Sequence, residues 1–127
     1  MKKLLLIAVA ALLATPVFAG SVPDISLNDL KAAIAKKDVT IIDVNGTASY
    51  KEGHIPGAID YVADKGDLAS KLPKDKNALI VAYCSSEYCG AYAKAAKAAQ
   101  ELGYTNVQHF KPGLAGWKSA GEPLTKG

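Results

Sequence analysis

Two residues stand out for chemistry, the cysteines Cys84 and Cys89, separated by Ser85-Ser86-Glu87-Tyr88 and followed by Gly90. A cysteine attacks as its thiolate, so its surroundings decide its reactivity. Cys84 follows the apolar run Ala78 to Tyr83 (ALIVAY) and precedes an Ala-rich stretch with helical spacing from Gly90 to Leu102. A cysteine at the C-terminal end of a buried strand, entering a helix through a tight loop, sits where free backbone N–H groups and the helix dipole converge. Such a field favours a thiolate on Cys84 and suits an anionic sulfur attached to it. Glu87 pulls the other way. The cysteine spacing differs from the C-x2-C usual in zinc sites, and His109 has no second histidine at ligand spacing, so no metal is expected. No cofactor is implied.

The elements around this loop alternate in period. Ser26 to Lys36 predicts a helix, with Ser26 and Asp29 in a capping pattern and Leu27, Leu30 and Ile34 at helical spacing. Val39 to Val44 (VTIIDV) predicts a strand covered on both faces. A helical turn at Ala48 to Glu52, the turn Gly53-His54-Ile55-Pro56-Gly57 and a short strand Ala58 to Val62 come next. Asp67 to Leu72 predicts a short helix stopped by Pro73, Ala78 to Tyr83 the central strand, and Gly90 to Leu102 a helix ended by Gly103. Val107 to Phe110 closes the strands and Gly113 to Trp117 the helices. This alternation argues for an α/β domain with a parallel sheet. In it, Asp43 ends a buried strand and is expected to accept loop N–H groups, His54 to fix its turn, Tyr83 to pack, and Tyr88 to line the mouth of the pocket.

The N-terminal stretch reads as an address. Lys2 and Lys3, the apolar run Leu4 to Ala14, Pro16 and Val17-Phe18-Ala19 predict a signal peptide, residues 1–19, cleaved after Ala19. The apolar run is shorter than the roughly 18 to 20 residues that span a bilayer, so no membrane attachment is expected after cleavage. Residues 20–127 then form one domain in the periplasm or outside the cell, where disulfides can form. All 15 basic residues are lysines, and without Lys2 and Lys3 they nearly balance the 12 acidic ones. That balance gives no reason to expect a nucleic-acid partner. The lack of arginine leaves no bidentate guanidinium for a phosphate or sulfonate.

Ile41-Ile42-Asp43-Val44, the segment Gly53 to Ile59, the strand ending at Cys84, Leu102-Gly103-Tyr104, Asn106-Val107, and Pro112-Gly113 with Trp117 resemble a rhodanese-like domain in order and spacing. The resemblance implies a five-stranded parallel sheet flanked by helices on both faces. It also implies a sulfurtransferase whose Cys84 takes a sulfane sulfur as a persulfide and hands it to a thiol or other nucleophile, in a pocket shaped by Ser85, Ser86, Glu87, Tyr88 and Cys89. The chain departs from the family at the site. Asn45 stands where the family often has Arg, and Ser85, Ser86 and Glu87 stand where its loop often carries Arg or Lys, so thiosulfate is expected to be a poor donor unless backbone N–H groups suffice, with polysulfide or a protein persulfide left open as donors. Cys89 stands where Ser or Thr is frequent. Attack by Cys89 on a Cys84 persulfide would release sulfide and leave a disulfide, making the pair a redox or sulfane-sulfur reductase element. A structural disulfide is another reading, although so short a loop gains little from closure. A non-catalytic module that binds a protein partner or carries sulfur to it is a third. A phosphatase is excluded, because Gly90 stands where the phosphate-gripping Arg would be.

Overall fold

The computed structural model describes residues Val22–Gly127. The expected leader and its cleavage point after Ala19 lie outside the described residues. Ser26 begins the first helix because its Oγ accepts the Asp29 N–H at 3.1 Å, satisfying a donor that a helix start leaves free. Helix α1 (Leu27–Lys36) leads into β1 (Val39–Asp43). The chain continues through α2 (Thr47–Glu52), β2 (Ile59–Asp60), α3 (Tyr61–Asp64), a 3-10 turn at Lys65–Asp67 and α4 (Leu68–Lys71). Strand β3 (Leu79–Tyr83), α5 (Tyr92–Glu101), β4 (Val107–His109) and α6 (Gly113–Ser119) complete it. None of the described helices is long and apolar enough to cross a membrane.

The strands pair in parallel in the order β2-β1-β3-β4. This corrects the expected five-stranded sheet to four strands among the described residues. The chain does run beside β4 near Asp24, but only as one isolated bridge to His109: the Ile25 N–H donates to the His109 carbonyl and the His109 N–H to that of Pro23, each at 2.9 Å. Pro23 has no N–H with which to extend a ladder, and Ser26 already caps α1, so the chain leaves the edge after a single bridge. The expected strand Ala58 to Val62 also contracts, to Ile59–Asp60. The Asp60 carboxylate accepts the Val62 and Ala63 N–H groups at 3.1 and 3.3 Å and turns the chain into α3.

Alternation along β3 sends side chains to two cores. Val81 and Tyr83 pack with Leu30, Phe110, Leu114 and Trp117 on the face covered by α1 and α6. Ile80 and Ala82 pack with Leu68, Leu72, Ala95, Ala96 and Ala99 on the face covered by α4 and α5. Helices therefore cover both faces, and the small side chains of α5 let it lie close to the sheet.

A buried polar link ties the strand ends together. Asp43 and Tyr83 are directly opposed in the β1–β3 register and both are fully buried. The Tyr83 hydroxyl donates to Asp43 Oδ2 at 2.5 Å and accepts the Ile55 N–H at 3.0 Å, while the Asn45 N–H donates to Asp43 Oδ1 at 2.8 Å. Burial pushes the Asp43 carboxyl above its ordinary value, and these hydrogen bonds offset part of that shift. Tyr83, expected only to pack, thus also satisfies a carboxylate and a backbone donor. Tyr83→Phe is expected to cost about 1–3 kcal/mol, because it strands both partners in a buried site. Denaturant unfolding checks this, and unchanged stability would show that water or a shifted side chain replaces the hydroxyl.

Candidate active site

The parallel sheet places the C-terminal ends of β1, β3 and β4 at one edge, where open α/β sheets carry their ligands. Cys84 is the first residue beyond β3. The loop from Cys84 folds over α6 rather than extending the strand. The Leu114 N–H donates to the Cys84 carbonyl at 2.9 Å and the Ala115 N–H to the Ser85 carbonyl at 2.8 Å. No side chain caps the start of α6, so the helix satisfies these N–H groups with the loop itself. Gly113 makes that contact possible. Its φ is +64°, and a Cβ there would lie 2.6 Å from the Cys84 carbonyl oxygen and 2.9 Å from the Ser86 nitrogen. The sequence signalled Gly113 only as part of a Pro-Gly pair, since the loop it touches lies far away along the chain.

Within the loop, the Ser86 Oγ accepts the Tyr88 N–H at 3.4 Å and the Ser86 carbonyl accepts the Cys89 N–H at 3.2 Å. Ser85 and Glu87 face solvent, and Tyr88 is 90% exposed. Ser86, Glu87 and Tyr88 line one side of an open cavity of about 290 Å³, with Pro112, Ala115, Gly116 and Ser119 of the α6 region on the other. Tyr88 therefore stands beside a cavity between the loop and α6 whose lining includes neither Cys84 nor Cys89.

The two sulfurs lie in different surroundings. Cys84 is fully buried, and its Sγ accepts the Tyr92 N–H at 3.1 Å from the uncapped first turn of α5. Cys89 is partly exposed. Burial, and after it the neighbouring Cys89, push the Cys84 thiol up to about 12 against the partial opposition of the Tyr92 and Ala91 N–H groups. The expectation that the helix start would favour a thiolate at Cys84 therefore fails in the reduced protein, because desolvation outweighs two N–H groups. For Cys89, partial burial also disfavours charge. The Cys84 hydrogen bond, the Ala91 and Ser85 N–H groups and the Ser85 hydroxyl nevertheless hold its thiol below the ordinary 9.0. The pair thus ionises first at Cys89, with the remaining proton on Cys84.

The other expected site residues support the edge at a remove. Asp43 is buried at the C-terminal end of β1, held by Tyr83 and Asn45. His54 stacks on Tyr50 at 3.7 Å, its Nδ1 lies 2.8 Å from the Tyr50 carbonyl, and its backbone exchanges hydrogen bonds with Thr125. It secures its turn and the C-terminal segment. His109, weighed in the sequence only as a metal ligand, is buried and stacks on the Tyr92 ring at 3.4 Å. Its Nδ1 is 3.4 Å from an Asp24 carboxylate oxygen. That stack braces the residue whose N–H reaches Cys84, a role visible only once β4 and α5 are side by side. Among the described residues no three His, Cys, Asp or Glu side chains cluster as a metal site.

Residues 26–120 match the rhodanese-like domain family. The chain belongs to that family. Over 91 residues it is 36% identical to the HTH-type transcriptional regulator Rv0324 of Mycobacterium tuberculosis, a match covering 71% of this chain but only 39% of the regulator. The solution structure of the rhodanese-like domain of Alr3790 from Anabaena is 28% identical, with a TM-score of 0.65 over 84% of this chain and 80% of that one. The human single-domain sulfurtransferase TSTD1 is 22% identical, with a TM-score of 0.58 over 78% of this chain and 97% of that one, and it shares the fold. In this rhodanese-like domain, mild alkylation of the reduced protein is expected to modify Cys89 before Cys84, with a midpoint below pH 9.0. A pH series with cleavage after Glu87, which separates the two cysteines, checks this; earlier labelling of Cys84 would reverse the assigned order.

Proposed function

We propose that this rhodanese-like domain is a sulfurtransferase that carries a sulfane sulfur as a persulfide on Cys84. The observation carrying the reading is the Tyr92 N–H donated to Cys84 Sγ from the start of α5, at the end of the central strand. A donor N–H fixed at that sulfur provides part of a cradle for an anionic outer sulfur. Membership of the family and the likeness to a human sulfurtransferase support the same reading. In the reaction, the outer sulfur of a polysulfide or persulfide forms a bond to the Cys84 sulfur as its former S–S bond breaks, and the Cys84 proton passes to the shortened donor as it leaves. An acceptor thiolate then takes the outer sulfur of the neutral Cys84 persulfide and leaves as its own persulfide anion, the proton passing to Cys84. The arginine-free, Glu87-bearing loop offers no guanidinium to a sulfonate, which disfavours thiosulfate as donor.

Intact mass after exposure to polysulfide and removal of the excess tests this. The wild type is expected to hold one additional sulfur, released by cyanide, on the fragment that carries Cys84 after cleavage past Glu87, and Cys84→Ala to lose transfer of sulfur to an acceptor thiol. Undiminished transfer without Cys84 would sink the proposal. The facing thiols favour one second reading, in which Cys89 attacks the inner sulfur of a Cys84 persulfide, expels sulfide and leaves a disulfide. Loss of two hydrogens in place of a gain of sulfur would mark it.

We also propose that the domain works outside the cytoplasm after removal of residues 1–19, a reading supported by Lys2, Lys3 and the apolar run ending at Ala14. N-terminal sequencing of the full chain expressed in a bacterial host is expected to begin at Gly20. A mature protein that keeps Met1 or Lys2 would overturn it.

A further inference from the structure

The sulfur expected to carry the load is the one a donor reaches least easily. Cys84 is 0% exposed, its Sγ engaged by the Tyr92 N–H and its backbone held against the start of α6. Cys89 sits at the lip of the same loop, partly exposed, between the 90% exposed Tyr88 and an exposed Gly90. The two thiols are close enough that each alters the other's ionisation. Displacement at sulfur requires the attacking thiolate to approach along the S–S bond being broken, and a donor of two or more sulfurs needs open space behind that bond.

We propose that Cys89 is the entry thiol of this site: it takes the sulfane sulfur from a polysulfide or a small-molecule persulfide and relays it to Cys84. The inference rests on the reading of Cys84 as the carrier, and it adds a second catalytic residue at the position where the family resemblance places Ser or Thr. In the first step the Cys89 thiolate forms a bond to the donor's outer sulfur, the donor's S–S bond breaks, and the shortened donor leaves as an anion. In the second, Cys84 attacks the outer sulfur of the Cys89 persulfide. The new Cys84–S bond forms, the Cys89–S bond breaks, and the Cys84 proton passes to the departing Cys89 sulfur. Charge and atoms balance, and no oxidant or reductant is consumed.

The arrangement suits both steps. The pair ionises first at Cys89, so a nucleophile is present where the donor arrives. A persulfide is a stronger acid than its parent thiol. After the relay, charge that the buried Cys84 thiol does not bear is carried one atom farther out, on the loop side of the site, with the Tyr92 N–H at its base.

Rapid quenching of the reduced full chain with limiting polysulfide, followed by alkylation and cleavage after Glu87, reports which cysteine holds the sulfur at each time. In the wild type the sulfur is expected on Cys89 first and on Cys84 later. Cys89→Ser is expected to slow loading of Cys84 by about tenfold or more, and Cys84→Ser to leave the sulfur stranded on Cys89. Sulfur on Cys84 before Cys89 in the wild type, or wild-type loading of Cys84 in Cys89→Ser, overturns the relay and leaves Cys84 as the carrier. Sulfur that never reaches Cys84 in the wild type overturns both. The wild-type time course stands even where a serine variant folds poorly.

Discussion

The structure of the site depends on a helix that ends against a loop. The first free N–H groups of α6, from Leu114 and Ala115, bond the carbonyls of Cys84 and Ser85, so the chain leaving β3 turns across α6 when it could have continued as strand. Helix starts must satisfy such donors with something, and the absence of a capping side chain leaves the loop as partner. A residue with a Cβ at position 113 would push the two apart. The fold of the domain and the conformation of its reactive loop are therefore one problem.

Beneath that contact, alternation along β3 separates two tasks. Tyr83 points into the core shared with α1 and α6 and closes the hydrogen-bonding needs of Asp43 and Ile55. Cys84, one residue on, is reached by the N–H of Tyr92 from α5. A rigid, satisfied polar link under the strand end holds the sulfur's neighbours in place, while the His109–Tyr92 stack braces the helix from the side.

The balance of charge at the two sulfurs shows why a helix start alone does not define a reactive thiol. N–H groups lower a thiol's pKa and burial raises it, and at Cys84 burial wins. Cys89 receives the same kind of N–H help with less desolvation, and it faces a thiol that can donate to it. A loop that would be a single nucleophile with a neutral neighbour becomes a pair with a division between exposure and enclosure.

What the sequence determined by itself was the local order of things. Periodicity placed four strands and five of the six α-helices to within a few residues, because β-branched runs and apolar stripes at helical spacing report burial directly, and Ser26 reported its cap through its own side chain; it missed α3, whose Tyr61 and Val62 it read as strand. The position of the reactive loop, between the most apolar strand of the domain and an Ala-rich helix, followed from the same patterns. The fifth strand came from family resemblance and not from these residues; Pro23 and the early start of α1 reduce it to one bridge. Only the tertiary structure decided that Tyr83 would answer Asp43, that Gly113 would lie under Cys84, and that His109 would brace Tyr92, since each pairs residues far apart along the chain. It also decided the order in which the thiols ionise, for that depends on how much water reaches each sulfur, a quantity set by the packing of the whole domain.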